Sequence, residues 1–524
     1  MKKYFLFFLY ITYYILHTTC FAQDTVAIKY GNNIKAEDMS VYLHRLASDE
    51  FEGRETGQKG QKLAAEYIAK YFSSIGIPPY RDTTYFQQYP LILKHIEGCD
   101  ITSNNKKFEL FKDYYYFPGL DDTLINSRDI VFFGYGINEK NYTDFNKSVD
   151  IRGKIVIVLN DEPANKKGKS YITKTKERSD WTTRWKKKVN YLKEYEPAAI
   201  LIVVDSVEVN VKANEHSIKT PTLKLSSADN KLKTIPHIYI SRELANKILS
   251  TTNKNIDELE KKIRKKGKPN SFEFKSQITI DMKRLEEKIS AENVLGYVEG
   301  TDLKNQLIVI SGHYDHLGKD GDKIYYGADD DGSGTSAVME LAKAFTIAKK
   351  EGHGPRRSIL FMTVSGEEKG LLGSEYYSEN PVFPLDSTVA DLNIDMIGRL
   401  DEKHKENSNY IYVIGSDKLS TELHKINENA NTAYAKLELD YTFNSPDDPN
   451  RFYYRSDHYN FAKKNIPVIF YFNGTHADYH KPTDTVDKID FNKMEKITRL
   501  VFFTAWQLAN QNERIKVDVK NDFK

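Results

Sequence analysis

The sequence predicts an α/β protein with a mixed, mostly parallel central sheet that carries helices on both faces, and with a smaller β-rich domain inserted. Three observations predict this fold class. Apolar runs of strand length alternate with helical patterns from residue 293 onward, which is typical of parallel and mixed sheets. A helical pattern over residues 36–77 precedes them. Between these two parts, the apolar runs of residues 129–204 are mainly typical of strands.

The composition is that of a globular protein that can bury a large core. Of 524 residues, 40% are hydrophobic and 29% charged, which excludes collagen-like and largely disordered chains. The 76 Lys and Arg residues against 74 Asp and Glu leave a net charge of +2. The chain therefore lacks the positive field that holds nucleic acid. Its two cysteines exclude a fold framed by disulfides and zinc fingers built on cysteine.

The first 22 residues have the pattern of a signal peptide. Lys2 and Lys3 precede an apolar and aromatic run over residues 4–16, and Ala22 offers the small residue that suits signal peptidase. The run is shorter than a membrane-spanning helix requires. The sequence therefore predicts an exported protein, periplasmic or extracellular, with a lipid anchor on Cys20 as the alternative. No other stretch predicts a transmembrane segment.

The first helical segment, residues 36–77, is interrupted by a predicted loop at 49–57. Its apolar residues at helical spacing are Leu63, Ala64, Tyr67, Ile68 and Phe72. The strands predicted next cover residues 130–136, 154–159, 198–204 and 236–240. The basic run at 261–268 follows acidic residues, which indicates the solvated end of a helix.

The second half alternates strands and helices. Its predicted strands cover residues 307–310, 359–364, 392–397, 411–414 and 468–472. One helical stripe is formed by Val338, Leu341, Ala342 and Phe345, and a closing helix is predicted at 491–510. The predicted domains are the signal peptide 1–22, one domain in two parts at 23–125 and 286–515, the insertion at 126–285, and a tail at 516–524.

Side chains that can bind metal or move protons follow the predicted strands, where ligands bind in open α/β sheets. The segments that carry them are His313-Tyr314-Asp315-His316, Gly327 to Gly334 with three consecutive aspartates, Glu367-Glu368, Asn393-Ile394-Asp395-Met396 inside a predicted strand, and Asp478 to Thr485. Singly, each is more typical of a solvated turn or surface loop. Together, so many carboxylates around one crevice require a cation, and carboxylates with imidazoles suit a divalent ion such as zinc.

The order of these motifs resembles the M28 family of zinc-dependent aminopeptidases. The matching segments are Gly-His-Tyr-Asp-His at 312–316, Gly-Ala-Asp-Asp-Asp-Gly-Ser-Gly at 327–334, Ser-Gly-Glu-Glu at 365–368, Asn-Ile-Asp-Met-Ile-Gly at 393–398, Ser-Asp-His at 456–458 and Tyr-His-Lys-Pro-Thr-Asp-Thr at 479–485. The resemblance covers residues 37–77 and 293–510. The insertion resembles a protease-associated domain more loosely, through residues 133–136 and 153–158.

The resemblance implies two zinc ions per chain and peptide substrates. Asp330 would bridge the two ions, and the choice of Asp330 over its two aspartate neighbours rests on its spacing to the following Asp-Gly-Ser-Gly. His313 and Asp395 would complete the ligands of one ion. Glu368 and His480 would complete those of the other.

The resemblance also implies roles beside the metals. Glu367 would act as general base on the bridging water, and Asp315 would hold the ring of His313. Tyr479 and Tyr453 both match a tyrosine that family members place near the substrate carbonyl, and either residue also fits an ordinary pocket wall. Cys99 is the only cysteine after residue 22, so the cysteine pair that some relatives carry near Tyr453 is absent.

Two alternatives to an aminopeptidase stay open at this stage. An M28-type carboxypeptidase would need basic groups that hold a substrate carboxylate, and Arg399 and Arg455 are the candidates. An inactive peptidase-like binding protein should have lost ligands or the Glu-Glu pair, and the sequence retains both. The intact ligand set also argues against the single-zinc cyclase branch of the family. The sequence makes no prediction of oligomeric state.

Overall fold

The computed structural model describes residues 24–80, 83–145, 149–226 and 234–520. The described residues form two compact units, one from those before Pro90 together with those from Ala291 onward, and one from those within Pro90–Ser290. The predicted insertion, 126–285, lies within the second unit, which begins earlier in the chain. The predicted signal peptide and Cys20 lie outside the described residues. Within the described ranges, every helix is too short or too polar to cross a membrane.

The sheet of the first unit is mixed and mostly parallel, as predicted. Its strands, in spatial order, are Glu438–Asp440, Tyr410–Ile414, Val468–Phe472, Thr388–Ile394, Leu303–His313, Arg357–Val364 and the end of Phe272–Val298. Val468–Phe472 pairs antiparallel with Tyr410–Ile414, and Arg357–Val364 with the end of Phe272–Val298. The other neighbours pair in parallel. A short hairpin is formed by Lys319–Asp320 and Lys323–Ile324.

Helices cover both faces of this sheet. The α-helices of the unit are Thr25–Gly31, Ala36–Leu46, Lys59–Ser74, Gly334–Lys350, Leu372–Glu379, Thr421–Ala430, His458–Ala462 and Phe491–Asn510. Shorter helical turns are Asp49–Arg54, Ala328–Ser333, Leu385–Ser387, Asn431–Ala435, Thr442–Asn444, Phe452–Tyr454 and Val486–Lys488. Successive strand side chains point to opposite faces: Ile308 and Ile310 join one buried core, and Leu307 and Val309 join the other.

The predicted helical stripe is buried as expected. Val338, Leu341, Ala342 and Phe345 all lie in the core beneath Gly334–Lys350. The interruption of the first helical segment is also confirmed, because Ala36–Leu46 and Lys59–Ser74 are separated by the turn Asp49–Arg54.

The second unit, Pro90–Ser290, is built around its own strands. In order of pairing they are Phe272–Val298, Thr123–Phe132, Ile155–Leu159, Ala199–Val203, His237–Ile240 and Tyr114–Tyr115, with Phe86–Ser103 paired to Lys106–Phe108 and Thr222–Leu225, and Asn138–Glu139 to Tyr142–Thr143. Its helices are Asp180–Thr183, Trp185–Lys193, Val207–Ala213, Glu215–Lys219, Arg242–Leu249 and Ile256–Lys266. The basic run lies at the end of the last helix, as predicted.

The order of three strands in the first unit creates a crevice. Leu303–His313 lies between Arg357–Val364 and Thr388–Ile394, so the chain adds its next strand on one side and the following strand on the other. Such a reversal leaves a crevice outside the carboxyl ends of the strands, where ligands bind in open α/β sheets.

Candidate metal centre

Three neighbouring strand ends carry predicted site residues to the crevice. His313 is the last residue of Leu303–His313, and Glu367 and Glu368 follow Arg357–Val364 within one turn. Asp395 follows Thr388–Ile394 directly. The sequence placed Asp395 inside that strand, which is wrong: pairing stops at Ile394, and Met396 has a φ of +57° that strands do not use. Ending the strand there directs Asp395 toward the crevice.

Two of the three consecutive aspartates, Asp329 and Asp331, accept hydrogen bonds from backbone N–H groups of neighbouring segments. Asp331 accepts N–H bonds from His313, Gly334 and Met396 at 3.1, 2.8 and 3.0 Å. Asp329 accepts an N–H bond from Gly398 at 2.6 Å. Asp330 is left to face the strand ends. The packing requires glycine at 334, because a Cβ atom there would lie 2.3 Å from the carbonyl oxygen of Ile394.

The two carboxylate oxygens of Asp330 face two different sets of side chains. Its Oδ1 lies 3.3 Å from His313 Nε2, which in turn lies 3.6 Å from Asp395 Oδ1. Its Oδ2 lies 3.1 Å from His480 Nε2, which in turn lies 3.2 Å from Glu368 Oε2. Two ligand atoms of one tetrahedral zinc ion are about 3.3 to 3.4 Å apart, given zinc–ligand distances of about 2.0 to 2.1 Å. The five side chains therefore fit two ions that share Asp330.

The charges of the cluster also fit bound cations. Burial raises the pKa of Asp395 above the ordinary value of an aspartate. Burial also raises the pKa of Glu367 well above the ordinary value of a glutamate. His313 Nε2 is buried and finds no hydrogen-bond partner in the described part of the chain. Carboxylates packed this closely repel one another, and a divalent ion relieves that repulsion while it satisfies the imidazole nitrogen.

Glu367 lies beside the cluster. Its Oε2 is 3.9 Å from His313 Nε2, longer than the corresponding 3.6 Å of Asp395, although ligand atoms of His313, Glu367 and Asp395 also lie close enough together to hold a metal ion. Its side chain keeps 12% exposure, and it lines the crevice together with Asp330 and Asp395. This position leaves its carboxylate open to a substrate or a water molecule.

Asp315 contacts the His313 ring mainly through its backbone. The nearest contact of His313 Nδ1 is the backbone carbonyl of Asp315 at 3.1 Å, and the carboxylate Oδ1 is 3.6 Å away. The carboxylate accepts bonds from the hydroxyl of Thr56 at 2.6 Å and from the backbone N–H of Glu367 at 3.3 Å. Asp315 therefore connects the His313 loop to the Glu367 loop.

The structure separates the two candidate tyrosines. Tyr479 lines the crevice, and its ring stacks on His480 with centroids 3.9 Å apart. Tyr453 is 5% exposed and packs in the core against His458 and Gly415. Tyr453 is therefore not among the residues that line the crevice, whereas its neighbour Phe452, in the same short helical turn, is.

His316 was given no role by sequence reasoning, although it is fully buried beside the cluster. Its Nδ1 lies 2.7 Å from Glu368 Oε1 and 3.9 Å from Asp330 Oδ2. The first distance is shorter than the spacing of two ligands of one tetrahedral ion, although ligand atoms of His316, Asp330 and Glu368 also lie close enough together to hold a metal ion. Its only sequence signal was its position three residues after His313.

The rest of the crevice is mainly apolar. Its wall is formed by Met396, Phe452, Phe470, Phe472 and Tyr479, with Arg455 beside them. Arg455 is exposed and donates a hydrogen bond to the Tyr479 hydroxyl at 3.3 Å. Arg399 is committed elsewhere, because it pairs with Asp478 at 2.9 Å and approaches Asp484 at 3.7 Å.

The sequence of this unit matches a known family. Residues 293–505 match the model of peptidase family M28, which confirms the resemblance to this family read from the motifs. The chain is 29% identical over 236 residues to a probable leucine aminopeptidase of Arthroderma otae, covering 44% of this chain and 61% of the relative. It is 26% identical over 276 residues to a probable zinc metalloprotease of Pyrenophora teres f. teres, covering 46% and 56%.

The fold also matches a solved structure. An aminopeptidase from Aneurinibacillus sp. strain AM-1 aligns over 94% of this chain and 99% of its own, with a TM-score of 0.55 and 17% identity. At that identity the likeness shows the fold alone. The chain spans 56% to 61% of the length of the two curated relatives.

Proposed function

We propose that this protein is an exported metallopeptidase that binds two zinc ions and removes the N-terminal residue of peptides. The observation that carries the proposal is the carboxylate of Asp330, whose two oxygens face two separate sets of ligand atoms at 3.3 and 3.1 Å. The match of residues 293–505 to peptidase family M28 supports the same reaction class.

Five side chains would hold the ions. His313 and Asp395 serve one ion, Glu368 and His480 serve the other, and Asp330 serves both. Zinc bound there supplies Lewis-acid activation of a water molecule and of the substrate carbonyl. Zinc rather than magnesium is favoured because two of the five ligands are imidazoles, which suit the softer ion.

Glu367 acts as the general base. It stands beside the ligand cluster without completing either ligand set, and its carboxylate opens into the crevice. It takes a proton from the attacking water and delivers it to the leaving amine, as a positioned carboxylate can. The N–H bond from Glu367 to Asp315 fixes its backbone relative to the His313 loop.

Tyr479 and the apolar wall orient the substrate. The phenol of Tyr479 donates a hydrogen bond to the substrate carbonyl, while Met396, Phe452, Phe470 and Phe472 surround an apolar side chain. Arg455 steers the phenol by its own bond to the tyrosine oxygen at 3.3 Å.

The charge of the crevice favours the amino end of a peptide. Of the carboxylates that line it, Glu367 is the one outside the proposed ligand sets, and a carboxylate attracts the ammonium group of a free N-terminus. A carboxypeptidase needs a cation for the terminal carboxylate, and Arg399 is already paired with Asp478 at 2.9 Å. Arg455 is the remaining crevice cation among the described residues.

A panel of peptides tests this choice. We expect hydrolysis of a peptide with a free N-terminal leucine, and none when the same amine is acetylated, because blocking it removes the charge that the crevice attracts. Mass spectrometry of the products identifies the released residue, and a chelator should abolish release. Release from the C-terminus of both peptides would favour the carboxypeptidase, and no cleavage would favour an inactive binding protein.

Export is tested at the amino terminus. The signal-peptide pattern predicts that protein recovered from the envelope or medium begins near Gln23. N-terminal sequencing measures this directly. A lipid-modified Cys20 would support the anchored alternative, and an intact Met1 on the mature protein would contradict export.

A further inference from the structure

The segment Arg54-Glu55-Thr56 lies far before the matched peptidase segment in sequence but contacts its loops. The family match begins at residue 293, and these three residues belong to the same compact unit. Three loops carry the proposed ligands and base: residues 314–318 after His313, residues 325–331 around Asp330, and residues 365–370 around Glu367 and Glu368. Each of the three side chains contacts at least one of these loops.

Arg54 joins the first two loops. It is fully buried and donates hydrogen bonds to the carbonyl oxygens of Tyr314, Tyr326 and Gly327 at 2.7, 2.8 and 2.9 Å. A fourth bond reaches Leu46 at 2.7 Å. Burial lowers its pKa to about 10, so it remains a cation at neutral pH beneath the carboxylate cluster. Bonds from a charged donor are stronger than those between neutral groups.

Thr56 contacts Asp315 in the first loop, and Glu55 contacts Lys369 in the third. The Thr56 hydroxyl, 2% exposed, donates to Asp315 Oδ2 at 2.6 Å, and the other oxygen of Asp315 accepts from the Glu367 backbone. Glu55 forms an ion pair with Lys369 at 2.7 Å, directly after Glu367 and Glu368. Thr56 therefore acts on Glu367 through one carboxylate.

The backbone of the segment fixes it against the first loop. Glu52, Gly53 and Arg54 have consecutive φ values of +47°, +68° and +54°. The N–H groups of Gly318 and His316 donate to the carbonyls of Gly53 and Arg54 at 3.0 and 3.3 Å. A Cβ atom at Gly53 would lie 2.3 Å from the carbonyl oxygen of Gly318. Only glycine allows this close approach together with a positive φ.

We propose that Arg54, Glu55 and Thr56 form a clamp that sets the spacing of the three loops, and that Thr56 is a positioning residue for His313 and Glu367. This inference rests on the proposed function. It assigns a role in the active site to a segment that lies outside residues 293–505, the part that matches the family model. Removing a group that orients metal ligands through hydrogen bonds typically lowers metal affinity or activity about 10- to 100-fold.

Thr56→Val tests the clamp, because it keeps the shape of the side chain and removes only the hydroxyl. We expect zinc affinity, measured by competition with a chelator, to fall about 10- to 100-fold. We also expect kcat for the free-amine peptide to fall with little change in KM. Thr56→Ser restores the hydroxyl and should restore both values. Thr504→Val removes another buried hydroxyl, one that bonds Asn427 and Leu500, and should leave both unchanged.

Thermal unfolding of each variant separates positioning from general damage. Thr56→Val could unfold at a much lower temperature than Thr504→Val. In that case Glu55→Gln, whose side chain is 30% exposed, replaces it as the test. The clamp then predicts that Glu55→Gln lowers zinc affinity and kcat, by less than the fold-change expected for Thr56→Val. Wild-type zinc affinity and kcat in the folded Thr56→Val and Glu55→Gln variants would overturn the clamp. A wild-type protein without zinc or peptidase activity would instead overturn the proposed function.

Discussion

Glu367→Gln should retain both zinc ions and the fold while its kcat falls by about 10²- to 10⁴-fold, the typical effect of losing a general base. The amide is nearly the same size as the carboxylate but cannot accept the proton of the attacking water. KM should change little, because in the proposed centre Glu367 lies beside the ligands, 3.9 Å from His313 Nε2, and belongs to neither ligand set. Zinc analysis and steady-state kinetics on the purified variant measure the two effects.

The neighbouring residue provides the matched control. Glu368→Gln makes the same chemical change one position later, where Oε2 lies 3.2 Å from His480 Nε2. It should weaken one zinc site, because an amide is a poorer ligand than a carboxylate, and excess zinc should recover part of its activity. The assignment of roles would be reversed if Glu367→Gln lost zinc while Glu368→Gln kept it.

Asp330→Ala should lose zinc from both sites and leave no measurable peptidase activity. Asp330 is the one residue in the cluster whose oxygens face both sets of ligand atoms, at 3.3 Å from His313 and 3.1 Å from His480. Removing it leaves two protein ligands for each ion, fewer than the three that catalytic zinc sites use. Elemental analysis of the purified variant measures the loss.

The exposed Asp320, in the short hairpin after the first loop, gives a control for the loss of an acidic residue. Asp320→Ala should keep wild-type zinc content and activity. An Asp330→Ala protein that still holds two ions would show that the carboxylate is not shared.

The strands and the residues after them could be predicted because their physical signals are local. The apolar runs at 307–310, 359–364 and 392–397 predicted three buried strands, and the reactive side chains follow the first two runs within a few residues and lie inside the third. The choice of Asp330 among the three aspartates as the shared ligand came from a family resemblance. In the structure the side chains of Asp329 and Asp331 accept backbone N–H bonds from neighbouring segments, and the role of Asp330 stays a prediction.

Other features depend on contacts between residues that are distant in sequence. Thr56 and Asp315 are 259 positions apart, and no local pattern indicates that their side chains meet. Tyr453 and Tyr479 were equivalent by sequence, and only the turn that directs Phe452 into the crevice separates them. The second unit begins at Pro90 inside the strand Phe86–Ser103, whose mixed polar and apolar residues gave no clear strand pattern.

Zinc content and activity of the wild-type chain test the central claim most directly. The purified protein should contain close to two zinc ions per chain by elemental analysis. Stepwise chelation should remove them and abolish release of N-terminal leucine, and added zinc should restore it. Full peptidase activity in a preparation without divalent metal, or one ion per chain at full activity, would contradict a centre built on a shared Asp330.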